Sequence, residues 1–275
     1  MVFIWKFNRL RMKYLNGIID SINRGYNADA AAFFARVTAA GGTLTATEKT
    51  AVNTLVISLK SNNIWNSIVA LYPMVGASAA ACAQNLISSS YTGTFNGGWT
   101  YASTGVTPNG TNAYMNTNLI PFTALTQNTN HLSFYSRSNV AAGSATDFGS
   151  QNSSTNYFFI QIFTPGNLSY NLISTFSAPS VANTSSLGFF NSNRNNSTTV
   201  SNFKNGTNLG NTTQNSTTLN LFNVYLSAVN RDGLTQQYST KQCAFASIGA
   251  GLSDTDAANF YTNVQTFQTS LSRQV

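Results

Sequence analysis

One pattern fills residues 91–250: short runs of β-branched and aromatic residues alternate with Gly, Asn and Ser. Residues 95–101 begin this region, and Pro108-Asn109-Gly110 follows with the positive-φ chemistry of a tight reversal. We interpret this stretch as a strand, a turn and a returning strand. Many short strands without intervening helices are typical of a β-sandwich or jelly roll, so the fold class is mainly β.

The candidate strands are residues 113–119, 131–136, 157–163, 169–175, 187–191, 198–204, 219–229 and 242–248. Asn205-Gly206 and Asp232-Gly233 are two further hairpin signals between such runs. The polar tracts 191–196 and 208–218 are predicted to be loops or edges rather than core.

Helices are predicted at both ends of the sandwich. Asn27 caps a helix over residues 28–37, and Thr45 with Glu48 forms the capping box of the next. The apolar pattern of that second helix extends to the break at Pro73. Ser253 caps a closing helix over residues 253–271. We therefore expect a basic arm (1–26), a helical segment (27–76) and a jelly-roll sandwich with its C-terminal helix (77–275).

The arm alternates apolar and basic residues at near-helical spacing, which favours a docking helix for a partner. The candidate docking residues are Ile4, Trp5, Phe7, Arg9, Leu10, Arg11, Lys13 and Tyr14. The alternative is an ordinary helix packed on its own domain.

Charge is concentrated near the start of the chain. Residues 1–36 carry six basic and two acidic side chains, whereas residues 91–275 carry six and four. Nucleic acid is therefore an unexpected partner for the sandwich. Basic residues interrupt the apolar core that a signal peptide needs, and no run is long enough to span a membrane. Without an export signal, Cys82 and Cys243 are expected to be free buried thiols.

The titratable residues argue against an enzyme. The only glutamate, Glu48, serves as a helix cap, and Asp147 is the one acid of the sandwich outside a turn or helix start. A glycosidase needs two facing carboxylates, so no catalytic pair remains. His131 is isolated from any nucleophile motif, and no paired ligand spacing predicts zinc. We expect no catalytic residue, metal or cofactor, although calcium at Asp147 stays an alternative.

Aromatic residues are the remaining candidates for binding. Trp99 and Tyr101 are the predicted glycan contacts, because aromatic rings on loops stack on sugar rings. Others of the same kind are Tyr91, Tyr114, Tyr157, Tyr170 and Tyr238. The alternative is that Trp99 and Tyr114 belong to the sandwich core.

Several motifs together resemble a known family. They are the run 71–76, Gly97-Gly98-Trp99, Gly105, Pro108-Asn109-Gly110-Thr111, Tyr114, the run 131–137, the run 244–249, Leu252-Ser253-Asp254 and Phe260-Tyr261. Over roughly residues 29–275 the chain resembles concanavalin A-like (laminin-G-like) virion proteins of tailed phages that infect Bacteroidota. No metal or sugar residue of the wider superfamily can be matched here.

The resemblance implies a jelly-roll sandwich carried on a virion as a head fibre, decoration or tail component. The arm would anchor it to other virion proteins, capsid or tail, and a homo-oligomer is expected. The alternative is a carbohydrate-binding adhesin that recognises host surface glycans.

Overall fold

The computed structural model describes residues 25–152, 156–175 and 177–275. These residues form three layers: a layer of helices, a first β-sheet beneath it (sheet A) and a second β-sheet (sheet B) packed on the other side of sheet A. The mainly β sandwich with flanking helices is the fold class that the sequence predicted.

The helical layer consists of α1 (Ala28–Ala39), α2 (Ala46–Ser61) and α5 (Asp254–Ser270), with α3 (Ala79–Cys82) and α4 (Pro121–Ala124) as single turns. Local chemistry sets their starts. Asn27 accepts from the Asp29 N–H, and Thr45 and Glu48 form the predicted capping box. Glu48 also accepts from the Gly76 N–H at 2.7 Å, so the cap ties α2 to the chain that leaves sheet A.

Sheet A contains β1 (Ile68–Tyr72), β3 (Trp99–Ala102), β4 (Gly105–Pro108), β6 (Asn130–Ser136), β11 (Gly188–Arg194), β12 (Thr199–Lys204), β13 (Thr207–Thr213) and β17 (Cys243–Gly249). Its order is β13–β12–β11–β6–β17–β4–β3, and β1 also pairs with β17. Every pairing in it is antiparallel.

Sheet B contains β2 (Thr94–Asn96), β5 (Tyr114–Asn116), β7 (Phe148–Asn152), β8 (Asn156–Thr164), β9 (Leu168–Thr175), β10 (Ser180–Ala182), β14 (Tyr225–Leu226), β15 (Val229–Arg231) and β16 (Leu234–Gln236). Its order is β10–β9–β8–β7–β14–β5–β2, and the hairpin β15–β16 joins it through β7. The pairing of β15 with β7 is parallel, whereas the other pairs are antiparallel.

Two apolar clusters hold the layers together. The first lies between the sheets and includes Phe134 and Ile248 of sheet A and Phe158 and Ile160 of sheet B. The second lies between sheet A and the helices, where Phe260 of α5 contacts the rings of Phe189 and Phe245. Alternate residues of the central strands β1, β6, β11 and β17 therefore enter different cores, and both faces of sheet A are buried at these strands.

The predicted hairpin at residues 95–114 is confirmed for β2, which pairs antiparallel with β5, and is wrong for β3. β2 and β3 adjoin in sequence but lie in different sheets, β3 pairs with β4, and β2 pairs with β5. The chain thus changes sheet at Gly97-Gly98 and again at Asn109–Asn112. Gly97 adopts φ +76°, and a Cβ there would lie 2.1 Å from the Asn112 carbonyl oxygen, so this crossing needs glycine.

The second predicted helix is too long. α2 ends at Ser61, Asn63 adopts a left-handed φ of 59°, and residues 68–72 form β1 instead. The spacing of the apolar residues after Ile64 fits both the helical and the strand periodicity. Pairing with β17 makes this segment a strand. No helix among the described residues is long and apolar enough to cross a bilayer.

The prediction for the first polar tract is wrong, because residues 191–194 belong to β11 and are buried. Residues 208–213 of the second tract form the edge strand β13, in agreement with the prediction of an edge. Some polar groups of both tracts bond to backbone: Asn193 Oδ1 accepts from the Leu252 N–H at 3.2 Å, and Thr212 Oγ1 donates to Val200 O at 3.3 Å. In the predicted strand 219–229, only the short β14 and the start of β15 are extended and paired. Polar side chains did not exclude strand formation here, because their hydrogen-bond partners lie within the protein.

Candidate functional site

Sheet B has a face that points away from the sandwich core, and no helix of the described residues packs on it as α1, α2 and α5 pack on sheet A. We call it the open face. Its side chains alternate with core residues such as Phe148, Phe158 and Ile160. The residues on the open face are Tyr114, Asn116, Gly149, Gln151, Tyr157, Phe159, Gln161, Tyr170, Leu172, Tyr225, Val229 and Arg231.

Aromatic rings dominate the middle of the open face. Tyr114 of β5 stacks on Tyr225 of β14, with ring centroids 4.6 Å apart and an interplanar angle of 27°. Burial and then the neighbouring Tyr114 and Tyr238 raise the pKa of Tyr225. Tyr157 lies beside Phe159, at 5.8 Å between centroids. Rings of this kind present apolar faces for stacking and a hydroxyl for hydrogen bonding.

A small apolar cluster of Phe159, Leu172 and Val229 lies beneath these rings, and Tyr157 packs against it. Gly149 separates Tyr225 from Phe159 across three paired strands. A Cβ at Gly149 would lie 2.1 Å from the Phe159 Cβ. Phe159 therefore lies directly against the Gly149 backbone, and any larger residue at this position would displace it.

Uncharged polar groups border the rings. Gln161 Nε2 donates to Thr146 Oγ1 at 3.2 Å, and Gln237 contacts the same hydroxyl at 2.7 Å. Gln151 Oε1 accepts from Arg231 Nη2 at 3.0 Å. Aromatic rings beside oriented amides can stack on a sugar ring and bind its hydroxyl groups, which is the chemistry of a carbohydrate site.

The predicted glycan contacts, Trp99 and Tyr101, lie elsewhere. Both are half-buried on β3 and meet Phe95 of β2 edge to face, at 5.0 and 5.2 Å between ring centroids. Trp99 Nε1 donates to Asn96 O at 2.9 Å. These rings close the gap between the two sheets at one edge of the sandwich, where they pack against the core. Their role in glycan binding stays a prediction.

The candidate docking residues lie outside the described residues. They are Ile4, Trp5, Phe7, Arg9, Leu10, Arg11, Lys13 and Tyr14, and their function also stays a prediction.

His131 is fully buried beneath the helical layer. Its Nδ1 donates to Ala250 O at 2.6 Å, and its Nε2 accepts from the Ser247 hydroxyl at 3.0 Å. Burial lowers the pKa of His131 from 6.5 to about 4, against a smaller opposite effect of the Ala250 carbonyl. A neutral histidine that solvent does not reach is placed to hold strands together.

Asp147 is not the free acid that the sequence analysis assumed. It is fully buried and forms an ion pair with Lys241, with 3.1 Å between Oδ1 and Nζ. Its Oδ1 also accepts from the Ser239 hydroxyl at 2.7 Å, and its Oδ2 from the Ile162 N–H at 2.9 Å. The described residues contain no group of three or more His, Cys, Asp or Glu side chains suited to a metal ion.

Cys82 and Cys243 are free and buried, as expected. Burial raises the pKa of the Cys82 thiol to about 12 and raises that of Cys243 as well. Both thiols are therefore protonated and unreactive at neutral pH.

The sequence analysis named three residues of the open face as aromatic candidates (Tyr114, Tyr157 and Tyr170) but missed its polar members and Phe159. The alternation of residues along the predicted strand could have identified the missing members on β8. Tyr157, Phe159 and Gln161 occupy every second position of a predicted strand, while Phe158, Ile160 and Ile162 occupy the core positions. Arg231 gave no signal, because its neighbours come from distant parts of the sequence.

No protein-family model matches this chain, and no curated protein matches its sequence. Solved structures do resemble its fold. One is a structure of botulinum neurotoxin type C, whose cell entry is described as dependent on two ganglioside molecules. It is 12% identical to this chain, with a TM-score of 0.53. The binding domain of botulinum neurotoxin DC, in complex with rat synaptotagmin II, is 11% identical, also with a TM-score of 0.53.

Both toxin matches cover 74% of this chain, and this chain spans about half of each of them (53% and 52%). Domain 4 of a GH43 extracellular arabinanase from Geobacillus stearothermophilus, in complex with arabinotriose, is 12% identical with a TM-score of 0.49. That match covers 70% of this chain and 98% of the domain. At identities of 11% and 12%, the likeness to the toxin structures is one of fold alone, and the fold is a β-sandwich.

Proposed function

We propose that this chain is a carbohydrate-binding module without catalytic activity, and that the glycan binds across the open face of sheet B. The observation that carries the proposal is the combination of half-exposed tyrosines with oriented amides on a sheet face that no helix of the described residues covers. Sugar rings stack on Tyr114 and Tyr157, and the glutamine amides bind the hydroxyl groups.

The toxin neighbours support a binding role, because one is described in terms of gangliosides and the other is a binding domain. The absence of enzymatic activity is part of the proposal. It rests on the two sandwich acids: Asp147 is neutralised by Lys241, and Asp232 lies in a turn with φ 52°. Glycosidases need an accessible pair of carboxylates.

A glycan array, followed by affinity measurement on the best ligand, tests the proposal. We expect Tyr157→Ala to weaken binding at least about tenfold, which corresponds to roughly 1.4 kcal/mol. The matched control is Tyr261→Ala, because Tyr261 is also half-buried but lies on α5 in the helical layer. Absence of binding to every glycan, or equal loss in both variants, would contradict the proposal.

A second proposal concerns where the module works. The resemblance of Gly97-Gly98-Trp99 and its companion motifs to phage virion proteins favours a structural component of a virion, on the head or the tail, in contact with other virion proteins. Residues 1–26 would be its anchor, and copies of the chain would form a homo-oligomer. Mass spectrometry of purified particles tests this idea, and absence of the chain from the virion would refute it. A virion component can also bind host glycans, so the two proposals are compatible.

A further inference from the structure

Arg231 is the one cation on the open face of the described sandwich. It lies on β15 two residues after Val229, which belongs to the apolar cluster of that face, so both side chains point the same way. In the pairing register Arg231 is opposite Gln151, and Gln151 is opposite Tyr157. A cation and an aromatic ring therefore flank one amide, across two strand spacings of about 4.8 Å each.

Side-chain amides hold this guanidinium. Its Nη2 donates to Gln151 Oε1 at 3.0 Å, and in the amide orientation that satisfies its neighbours Gln237 Oε1 accepts from the same nitrogen at 3.1 Å. Its Nε is buried without a hydrogen-bond partner in the described structure. The ion pairs among the described residues are Lys60–Asp29 and Lys241–Asp147, so none of them neutralises Arg231.

The two fully buried arginines among the described residues are bound differently. Arg273 donates to the backbone carbonyls of Pro73, Met74 and Ala244, and Arg194 donates to the carbonyls of Ile173 and Asn196. Those side chains join distant segments of backbone. Arg231 is instead half-exposed, and neutral amides orient its guanidinium. The planar fork of an oriented guanidinium matches the geometry of a carboxylate.

We propose that Arg231 binds the carboxylate of an acidic sugar, such as a uronic acid, while Tyr157 stacks on the same or the adjoining ring. This inference rests on the proposed carbohydrate-binding function and narrows its ligand class to carboxylated glycans. Gln151 and Gln237 are positioning residues for the guanidinium.

Matched pairs of polysaccharides test the inference. Polygalacturonate, alginate and hyaluronan are each compared with their carboxyl-reduced, neutral forms at fixed low salt. The native chain is expected to bind at least one acidic form about tenfold more tightly than its neutral counterpart. Arg231→Gln should abolish that preference with an unchanged melting temperature, and Arg231→Lys should retain part of it. The control for net charge is Lys49→Gln on α2, which should keep the full preference.

The outcomes separate the two claims. Equal binding of acidic and neutral forms by the native chain would overturn the carboxylate inference and leave the proposed function standing. Acid preference that survives in Arg231→Gln, or that falls equally in Lys49→Gln, would also overturn the inference. A preference for sulfated chondroitin over hyaluronan would assign Arg231 to sulfate and overturn it too. Failure to bind any of these polysaccharides and any glycan of the array would contradict both.

Discussion

The outer faces of the two sheets differ in how much of each is covered by other parts of the described structure. The outer face of sheet A carries Phe189, Phe245 and His131, and the helical layer buries all of them. The open face of sheet B carries half-exposed tyrosines, amides and Arg231. The same antiparallel geometry thus provides one face for stability and one for contact. Covered faces must satisfy every polar group internally, whereas open faces can leave donors and rings for a ligand.

The largest expected difference between the faces is in packing. Phe260→Ala should lower the free energy of unfolding by about 3–5 kcal/mol, because the ring is fully buried between α5 and sheet A. Tyr157→Ala on the open face should cost less than about 1 kcal/mol. Urea unfolding of both variants measures the contrast. Similar losses would show that the open face is part of the core.

Arg273, which is fully buried, and Arg231, which lies on the open face, allow a second comparison of stability between the core and the open face. Arg273→Met removes the donor from the carbonyls of Pro73, Met74 and Ala244, and buried acceptors left unpaired cost about 1–3 kcal/mol each. We expect a total loss of roughly 3 kcal/mol. Arg231→Met should cost about 1 kcal/mol, since it leaves a single buried acceptor, Gln151 Oε1, without its donor. Chemical denaturation of the two variants checks the prediction, and a larger loss for Arg231→Met would reverse our assignment of the faces.

The burial of His131 between sheet A and the helical layer predicts how the stability of the protein depends on pH. His131 has a folded pKa of about 4 against an ordinary value of 6.5, so between these values the unfolded chain binds a proton that the folded chain does not. Stability is therefore complete above pH 6.5 and falls as the pH drops toward 4. The loss between pH 7.5 and pH 5 should be roughly 2 kcal/mol.

His131 is the only histidine in the chain, which makes this window specific. Denaturation of the native chain and of His131→Asn at three pH values between 5 and 7.5 measures it. The asparagine variant keeps a donor for Ala250 O and should show a flat profile. A native chain whose stability does not change over this range would contradict the burial of the imidazole.

The smallest expected effect is that of calcium. Both oxygens of Asp147 are already occupied by Lys241, Ser239 and the Ile162 N–H. Addition of Ca²⁺, or its removal with EDTA, should shift the melting temperature by less than about 1 °C. A saturable rise of several degrees on adding Ca²⁺ would reveal a cation site that the described residues do not explain.

Local chemistry was readable from the sequence, and long-range pairing was not. The capping box of Thr45 and Glu48 located the start of α2, because all its atoms lie within one turn. The strand β1 was mistaken for helix, because its identity depends on β17 near the other end of the chain. The change of sheet at Gly97-Gly98 was missed, and residues 95–101 were predicted to form one strand, for the same reason: local residues do not show which sheet receives the next strand.

The candidate site follows the same rule. Tyr114, Tyr157 and Tyr170 were identifiable as candidate rings, and alternation in β8 predicts which residues share a face. The stacking of Tyr114 on Tyr225, and the two glutamines around Arg231, come from strands far apart in sequence. Composition alone favoured Trp99, which the fold places at a sheet edge.

The most direct test is to block each face separately. Because Cys82 and Cys243 are buried and protonated, a bulky maleimide should label only an introduced cysteine. Tyr170→Cys places the label on the open face, and Thr266→Cys places it on α5. We predict that labelling Tyr170→Cys abolishes binding of the best glycan from the array, whereas labelling Thr266→Cys leaves its affinity unchanged. Unchanged affinity in labelled Tyr170→Cys, or loss only in labelled Thr266→Cys, would contradict the assignment of the open face as the binding surface.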